Sequence, residues 1–165
     1  MKTKLTAFIL LFSLLGLAAP PATRELKIAG TGIQSTVYTE QSFSALPHKT
    51  ITVTEHDQKV TYDAVLLNEL LKSAGAPSGK EMKGPAFRLG LVAKASDGYQ
   101  VLIALNSLEP DFGGLEVYIA DKQNGKPLPE GVGPFRLVVL GDKRPARSVR
   151  MLSEISLIDV GEAPK

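Results

Sequence analysis

The sequence predicts an α+β fold built on a mixed, mainly antiparallel sheet with few helices. Short apolar runs that alternate with polar residues recur along the chain, as in Thr50-Ile51-Thr52-Val53-Thr54. Turn pairs such as Asp97-Gly98 and Asn124-Gly125 punctuate them. Against these strands stands one clear helical stripe, Leu67, Leu70, Leu71 and Ala74, at the i, i+3, i+4, i+7 spacing.

From the N-terminal side, Leu26–Ala29 and Ser35–Tyr38 read as short strands around Gly30-Thr31-Gly32. Thr39 and Ser42 can cap a brief helical turn that ends before Pro47. Thr50–Thr54 pairs with Lys59–Tyr62 across a turn at His56-Asp57. The Leu-rich helix follows and is stopped by Gly75 and Pro77. Phe87–Ala95 and Gln100–Ala104 form a buried hairpin joined by Ser96-Asp97-Gly98-Tyr99. Asn106-Ser107-Leu108-Glu109 has the capping-box pattern for one helical turn, closed near Pro110. Leu115–Ala120 and Pro134–Leu140 are strands on either side of a turn-rich connection, Asp121–Gly133. After a basic loop, Val149–Val160 supplies the last strand.

The first residues read as a targeting segment. Lys2 and Lys4 precede an apolar run from Leu5 to Leu17, with a small-x-small cleavage site at Gly16-Leu17-Ala18. The run is too short for a membrane span, which needs roughly 20 residues. Residues 1–18 are therefore expected to be a cleaved signal peptide, residues 19–25 a proline-containing linker, and residues 26–165 one domain. No cysteine follows the cut to take a lipid, so the expected location is periplasmic or secreted, with no membrane span after cleavage.

Removing residues 1–18 takes two lysines and no acid from 19 basic and 17 acidic residues, which leaves the charges balanced. That balance gives no support to nucleic-acid binding. The chain contains no cysteine, hence no disulfide, thiolate ligand or thiol nucleophile. Its two histidines, His48 and His56, lack a second ligand at zinc-like spacing, so no metal is expected. His56, at a predicted hairpin tip, is given no catalytic role. No Gly-x-Ser-x-Gly elbow, phosphate-binding glycine loop, paired-histidine motif or dinucleotide fingerprint is present.

Five phrases occur in a familiar order: Phe43–Pro47, Val60–Gly75, Ser96–Tyr99, Gly125-Lys126-Pro127-Leu128 and Gly133–Asp142. On these, the chain resembles the molybdopterin-binding domain of sulfite-oxidase-like oxidoreductases, in a reduced form. The resemblance implies a mixed sheet with peripheral helices and a pterin pocket at one edge. In the catalytic members a cysteine thiolate binds molybdenum from the segment between the central strand and the Leu-rich helix. This chain has only Thr54-Glu55-His56-Asp57-Gln58-Lys59 there, and the family's lysine-tryptophan pair stands here as Arg150-Met151. Neither His56 nor Glu55 reproduces the softness of a thiolate. The same family includes small exported members that bind a free pterin and act as sensors or regulators, and the chain resembles that cysteine-less type.

The candidate ligand-binding residues fall in three groups. Lys143, Arg144, Arg147 and Arg150, with Ser148 among them, form the basic loop, which the resemblance places at the cofactor pocket. Arginine forks suit carbonyl oxygens, ring nitrogens or phosphate, and their faces stack on heterocycles. Asp97 and Tyr99 belong to a hairpin turn and can also stand at the pocket rim. A carboxylate accepts a pterin's paired N–H donors in bidentate fashion, so Asp97, Glu109 and Asp111 are the candidate acids, with Tyr99 and Phe112 as stacking partners. Glu109 has the alternative role of closing the capping box.

The preferred expectation is a non-enzymatic extracytoplasmic binding protein for a pterin, presenting it to a membrane-bound sensor protein. Molybdopterin is the less favoured ligand, because the cysteine that holds molybdenum is missing. Two alternatives stay open: a molybdopterin-dependent oxidoreductase domain, and a ligand-free protein-interaction domain.

Overall fold

The computed structural model describes residues 24–55 and 57–161. The expected signal peptide, most of the linker and His56 lie outside the described residues. Among the described residues, no helix is long and apolar enough to cross a membrane.

Among the described residues, ten strands form two sheets. The first sheet is mixed and contains β1 (Glu25–Gly30), β2 (Thr36–Thr39), β5 (Leu89–Ala95), β6 (Gln100–Ala104) and β10 (Leu152–Asp159), in the order β2-β1-β10-β5-β6. Only β1 and β10 run parallel in it; the remaining pairs are antiparallel. The second sheet is antiparallel and contains β3 (Lys49–Glu55), β4 (Gln58–Leu66), β7 (Val117–Gln123), the short β8 (Lys126–Pro127) and β9 (Arg136–Val139). Among the described residues β3 pairs only with β4, and β9 pairs with β7.

The two α-helices among the described residues are short. For α1 (Glu40–Ser44), Thr39 closes a capping box: the Ser42 N–H donates to Thr39 Oγ1, and the Thr39 N–H donates to Ser42 Oγ. α2 (Leu67–Ser73) buries Leu67, Leu70 and Leu71. It ends as its sequence demands, because Gly75 takes φ +93° and the N–H groups of Gly75 and Ala76 turn back to the carbonyls of Lys72 and Leu71.

One core fills the space between the sheets. Leu26, Ile28, Leu91, Ala93, Ile155 and Leu157 of the first sheet meet Val65, Val117, Ile119, Leu137 and Val139 of the second, with Phe43 and the α2 leucines at one end. A second cluster covers the other face of the second sheet: Ile51, Val60, Tyr62, Ala64, Tyr118, Ala120, Val138 and, from the connection after β8, Leu128. Apolar burial on both faces explains why β7 is buried without a break from Val117 to Asp121. At the end of β1 the backbones approach so closely that a Cβ on Gly30 would stand 2.1 Å from the Leu157 carbonyl oxygen.

Several boundaries differ from the sequence expectation, each for a local reason. Phe87 is not in a strand: residues 84–88 form a 3₁₀ turn, and Phe87 packs edge-on against Phe112 at 5.1 Å. The hairpin of β5 and β6 is buried on β5 but largely exposed on the edge strand β6, where Leu102 is 59% accessible. The capping box at Asn106 does not form, because the Glu109 carboxylate bonds elsewhere and Ser107 Oγ donates back to the Ala104 carbonyl. Met151, at φ +48°, breaks the run from Val149, so the last strand begins at Leu152.

Candidate functional site

The basic loop after β9 turns over a short 3₁₀ segment, Pro145–Arg147, and this segment separates two hollows. The smaller, of about 240 Å³, is lined by Asp97, Tyr99, Pro145, Ala146, Ser148 and Arg150. The larger, of about 720 Å³, lies between Thr52–Glu55 with Asp57 on one side and Val138–Lys143 on the other, with Pro145 and Ser148 at its end. Pro145 and Ser148 therefore belong to both.

The structure brings together four of the expected residues, Asp97, Tyr99, Ser148 and Arg150, from two loops far apart in sequence. The β5–β6 turn is closed locally: Asp97 Oδ1 accepts the Tyr99 N–H at 2.9 Å, and Gly98 takes φ +91°. Tyr99 then reaches across and donates its hydroxyl to the Ala146 carbonyl at 2.7 Å, which ties one loop to the other. Ser148 Oγ accepts the Val139 N–H at 3.1 Å and fixes the loop to the end of β9. Lys143 lines the larger hollow, whereas Arg144 is exposed and lines neither.

Arg147 is placed differently from expectation. Its guanidinium is engaged by the Asp142 carboxylate, through Nε to Oδ2 at 2.9 Å and through Nη2 to Oδ1. The hydrogen bond to Asp142 also raises the Arg147 pKa above its ordinary value, against the opposing effect of burial. A fork used in this way braces the loop.

The remaining acids and the second aromatic lie elsewhere. Glu109 is buried, accepting from Asn68 Nδ2 at 3.3 Å and from the Gly79 N–H at 2.9 Å. Asp111 and Phe112 sit on an exposed 3₁₀ turn, where Phe112 meets Phe87. Neither hollow beside the basic loop contains Glu109, Asp111 or Phe112.

Sequence reasoning missed a charged group that meets the larger hollow through Glu55. Arg136 of β9 is almost fully buried and places Nη2 2.7 Å from Glu55 Oε1 at the end of β3. Its Nη1 donates to the Tyr62 hydroxyl, and the guanidinium carbon lies 5.0 Å from the centre of the Tyr62 ring. Among the described residues the Arg136 Nε has no hydrogen-bond partner. Burial pushes the Tyr62 phenol above its ordinary pKa, and the nearby Arg136 charge offsets part of that effect. A charged residue inside the otherwise apolar run Phe135–Val139 was the available signal, because such a residue must find a counter-charge when the strand is buried.

The donor set does not fit a thiolate-held metal. The chain has no cysteine, and among the described residues no group of three or more His, Asp or Glu side chains converges on one point.

No family model matches the chain, and no curated protein matches it. Among solved structures it is similar to the sulfane dehydrogenase SoxCD from Paracoccus pantotrophus, with a TM-score of 0.63 and 20% sequence identity. The match covers 86% of this chain and 40% of that one, so the chain spans less than half the length of the enzyme it resembles. The likeness is one of fold: α+β, with mixed and antiparallel sheets, of the sulfite-oxidase-like kind.

Proposed function

We propose that the protein binds a free pterin, or a flat polar heterocycle of the same donor pattern, in the smaller hollow and does so without catalysing a redox reaction. The observation that carries this reading is the convergence of Asp97, Tyr99, Ser148 and Arg150 around one hollow of about 240 Å³. Asp97 keeps a second carboxylate oxygen for the ring's paired donors, and the half-exposed Tyr99 ring offers an apolar face. Arg150 lies exposed at the rim and can meet ring carbonyl or nitrogen acceptors. The hollow is smaller than the roughly 300–1,000 Å³ typical of drug-sized ligands, which suits a bare two-ring system better than one extended by a phosphorylated tail. The missing thiolate points the same way, because nothing in the chain would hold molybdenum in the manner of the catalytic relatives.

The signal-like segment at residues 1–18 places this activity in an extracytoplasmic compartment in our reading, and a membrane-bound sensor protein is the partner that would use the bound ring. The fold shared with a sulfane dehydrogenase keeps an oxidoreductase domain as the second reading.

Both readings are tested on one sample. Protein purified from its own compartment is denatured, and the released material is examined for pterin fluorescence and analysed for molybdenum. Pterin without molybdenum supports binding, molybdenum supports the oxidoreductase, and the absence of both overturns each. In reconstitution, Tyr99→Ala and Arg150→Ala should each weaken pterin affinity about tenfold, the loss expected for one stacking or charge-assisted contact. Unchanged affinity in both would remove this hollow from consideration.

A further inference from the structure

The larger hollow presents a different chemistry, that of an unpaired strand edge. Thr61 of β4 donates its N–H to Asn124 Oδ1 at 3.0 Å, and its carbonyl accepts the Asn124 N–H at 2.8 Å. Both main-chain groups of Thr61 thus face the β7–β8 turn and turn away from β3. Thr61 stands opposite Thr52, and residues facing each other in an antiparallel pair exchange either both hydrogen bonds or neither. Thr52 therefore directs its own N–H and C=O off the sheet, and by the two-residue period Thr54 does the same. At Thr52 and Thr54 that free edge borders the hollow of about 720 Å³, opposite Val138–Lys143.

We propose that this cleft receives an extended peptide segment of a partner protein, which adds to β3 as a further strand. Main-chain donors and acceptors alternating along Thr52 and Thr54 are the complement of another extended main chain, and they recognise no particular side chain. Thr52–Glu55 line the cleft, so the segment that docks is about four residues, roughly 13 Å, long. Val53, Val138 and Leu140 give its inward side chains an apolar bed. The local charges do not favour a small ion, because Glu55 is paired with Arg136 and Asp142 with Arg147.

The edge also lacks the usual protection. Proteins blunt free edges with bulges, prolines or central lysines, yet the β3–β4 register runs unbroken from Lys49 to Glu55 and the one lysine of β3 itself is at the far end. A wall on the opposite side of the edge favours a single strand over a second copy of this chain, which would bring its own β4 in behind β3. The inference does not rest on the pterin reading: Pro145 and Ser148 border both hollows, but the β3 edge lines the larger one alone and offers main-chain groups to a different class of ligand.

Random heptapeptides displayed on phage are selected against the intact protein, and the winners are resynthesised with capped ends. Their affinity is measured by fluorescence anisotropy, and amide exchange of the protein is followed by NMR. Binding should slow exchange at the Thr52 and Thr54 amides. Thr52→Pro removes an outward N–H and takes nothing from the β3–β4 ladder, so it should weaken binding about tenfold while the melting temperature holds. Should that variant fail to fold, N-methylation of alternate peptide amides makes the same test from the ligand side. Thr52→Pro should leave pterin affinity unchanged, because Thr52 does not line the smaller hollow, and this separates the outcome from that of the pterin experiment. Selection yielding nothing better than scrambled controls, binding without protection of Thr52 and Thr54, or self-association that protects them without peptide would each overturn the proposal.

Discussion

Arg136 and Glu55 join the two ends of a curled sheet: β9 and β3 are separated by β7 and β4, yet their side chains meet at 2.7 Å. Three strand spacings would put the two strands roughly 14 Å apart in a flat sheet, so the pair both requires and holds the curl. Arg136 is enclosed, which makes loss of its partner the costly change. Glu55→Ala should destabilise the protein by about 3 kcal/mol, because it leaves a buried guanidinium without its counter-charge. Arg136→Met combined with Glu55→Ala should recover most of that loss. A double-mutant cycle in urea, with the m-value constant, measures the coupling; additive effects would mean that the pair does not hold the sheet.

The same cluster sets an alkaline limit. The Tyr62 pKa is raised above 10.0 in the folded protein, chiefly by burial, with Arg136 acting in the opposite direction. The folded state therefore holds this proton more tightly than the unfolded chain does. Tyr62 contributes its full share of stability below pH 10, and the contribution falls away as pH rises from there through the folded pKa. Tyr62→Phe should flatten the decline of urea stability with pH above 10, although it is less stable at neutral pH through loss of the Arg136 contact. A decline of identical slope in the variant would assign the alkaline limit to other groups.

Gly30 and Gly79 make a controlled comparison of two glycines with positive φ. At Gly30, φ is +138° and a Cβ would meet the Leu157 backbone at 2.1 Å. At Gly79, φ is +54° and nothing lies within 4 Å. Gly79→Ala should cost about 1 kcal/mol, the left-handed penalty alone. Gly30→Ala must also push β1 away from β10, and its cost should exceed about 4 kcal/mol, enough to unfold a marginal domain. Equal melting temperatures for the two variants would show that the strands part easily.

The strand hairpins, the Thr39 cap and the Leu-rich helix were legible because each is decided within a few residues. The Schellman ending of α2 follows from Gly75, and the β3–β4 pairing from the alternation of Thr50–Thr54. What was not legible depends on distant partners. Glu109 satisfied the local capping pattern, yet Asn68 and the Gly79 N–H compete for its carboxylate and win. Arg147 had the composition of a ligand-binding fork, and a neighbouring carboxylate five residues away occupies it. The convergence of Asp97 and Tyr99 with Ser148 and Arg150 was suggested by resemblance, and the Tyr99 hydroxyl bond to Ala146 is the contact that ties the two loops. The larger hollow gave no local signal, since it exists only where β3 and the loop after β9 lie across from each other.

A polar cluster around the buried Asp121 of β7 carries the last prediction. Ser44 Oγ donates to Asp121 Oδ2 at 2.6 Å, and His48 Nε2 lies 3.3 Å from Asp121 Oδ1, close enough to pair but not aligned for a hydrogen bond. His48 Nδ1 is 2.6 Å from the Leu46 carbonyl oxygen, so that nitrogen must carry a proton. The ring also packs edge-on against Phe43 at 5.6 Å, which fixes its plane. Together these contacts fasten the segment between α1 and β3 to β7. Removing the ring by His48→Ala leaves Asp121 Oδ1 enclosed with no partner and opens a void beside Phe43, so it should cost about 3 kcal/mol. Ser44→Ala removes one hydrogen bond and leaves the ring in place, and should cost about 1 kcal/mol. Asp121→Asn, combined with His48→Ala, removes the enclosed charge and should recover part of the loss. Urea midpoints measured at one pH decide the matter: if His48→Ala costs no more than Ser44→Ala, the histidine is a bystander and the serine alone anchors the segment.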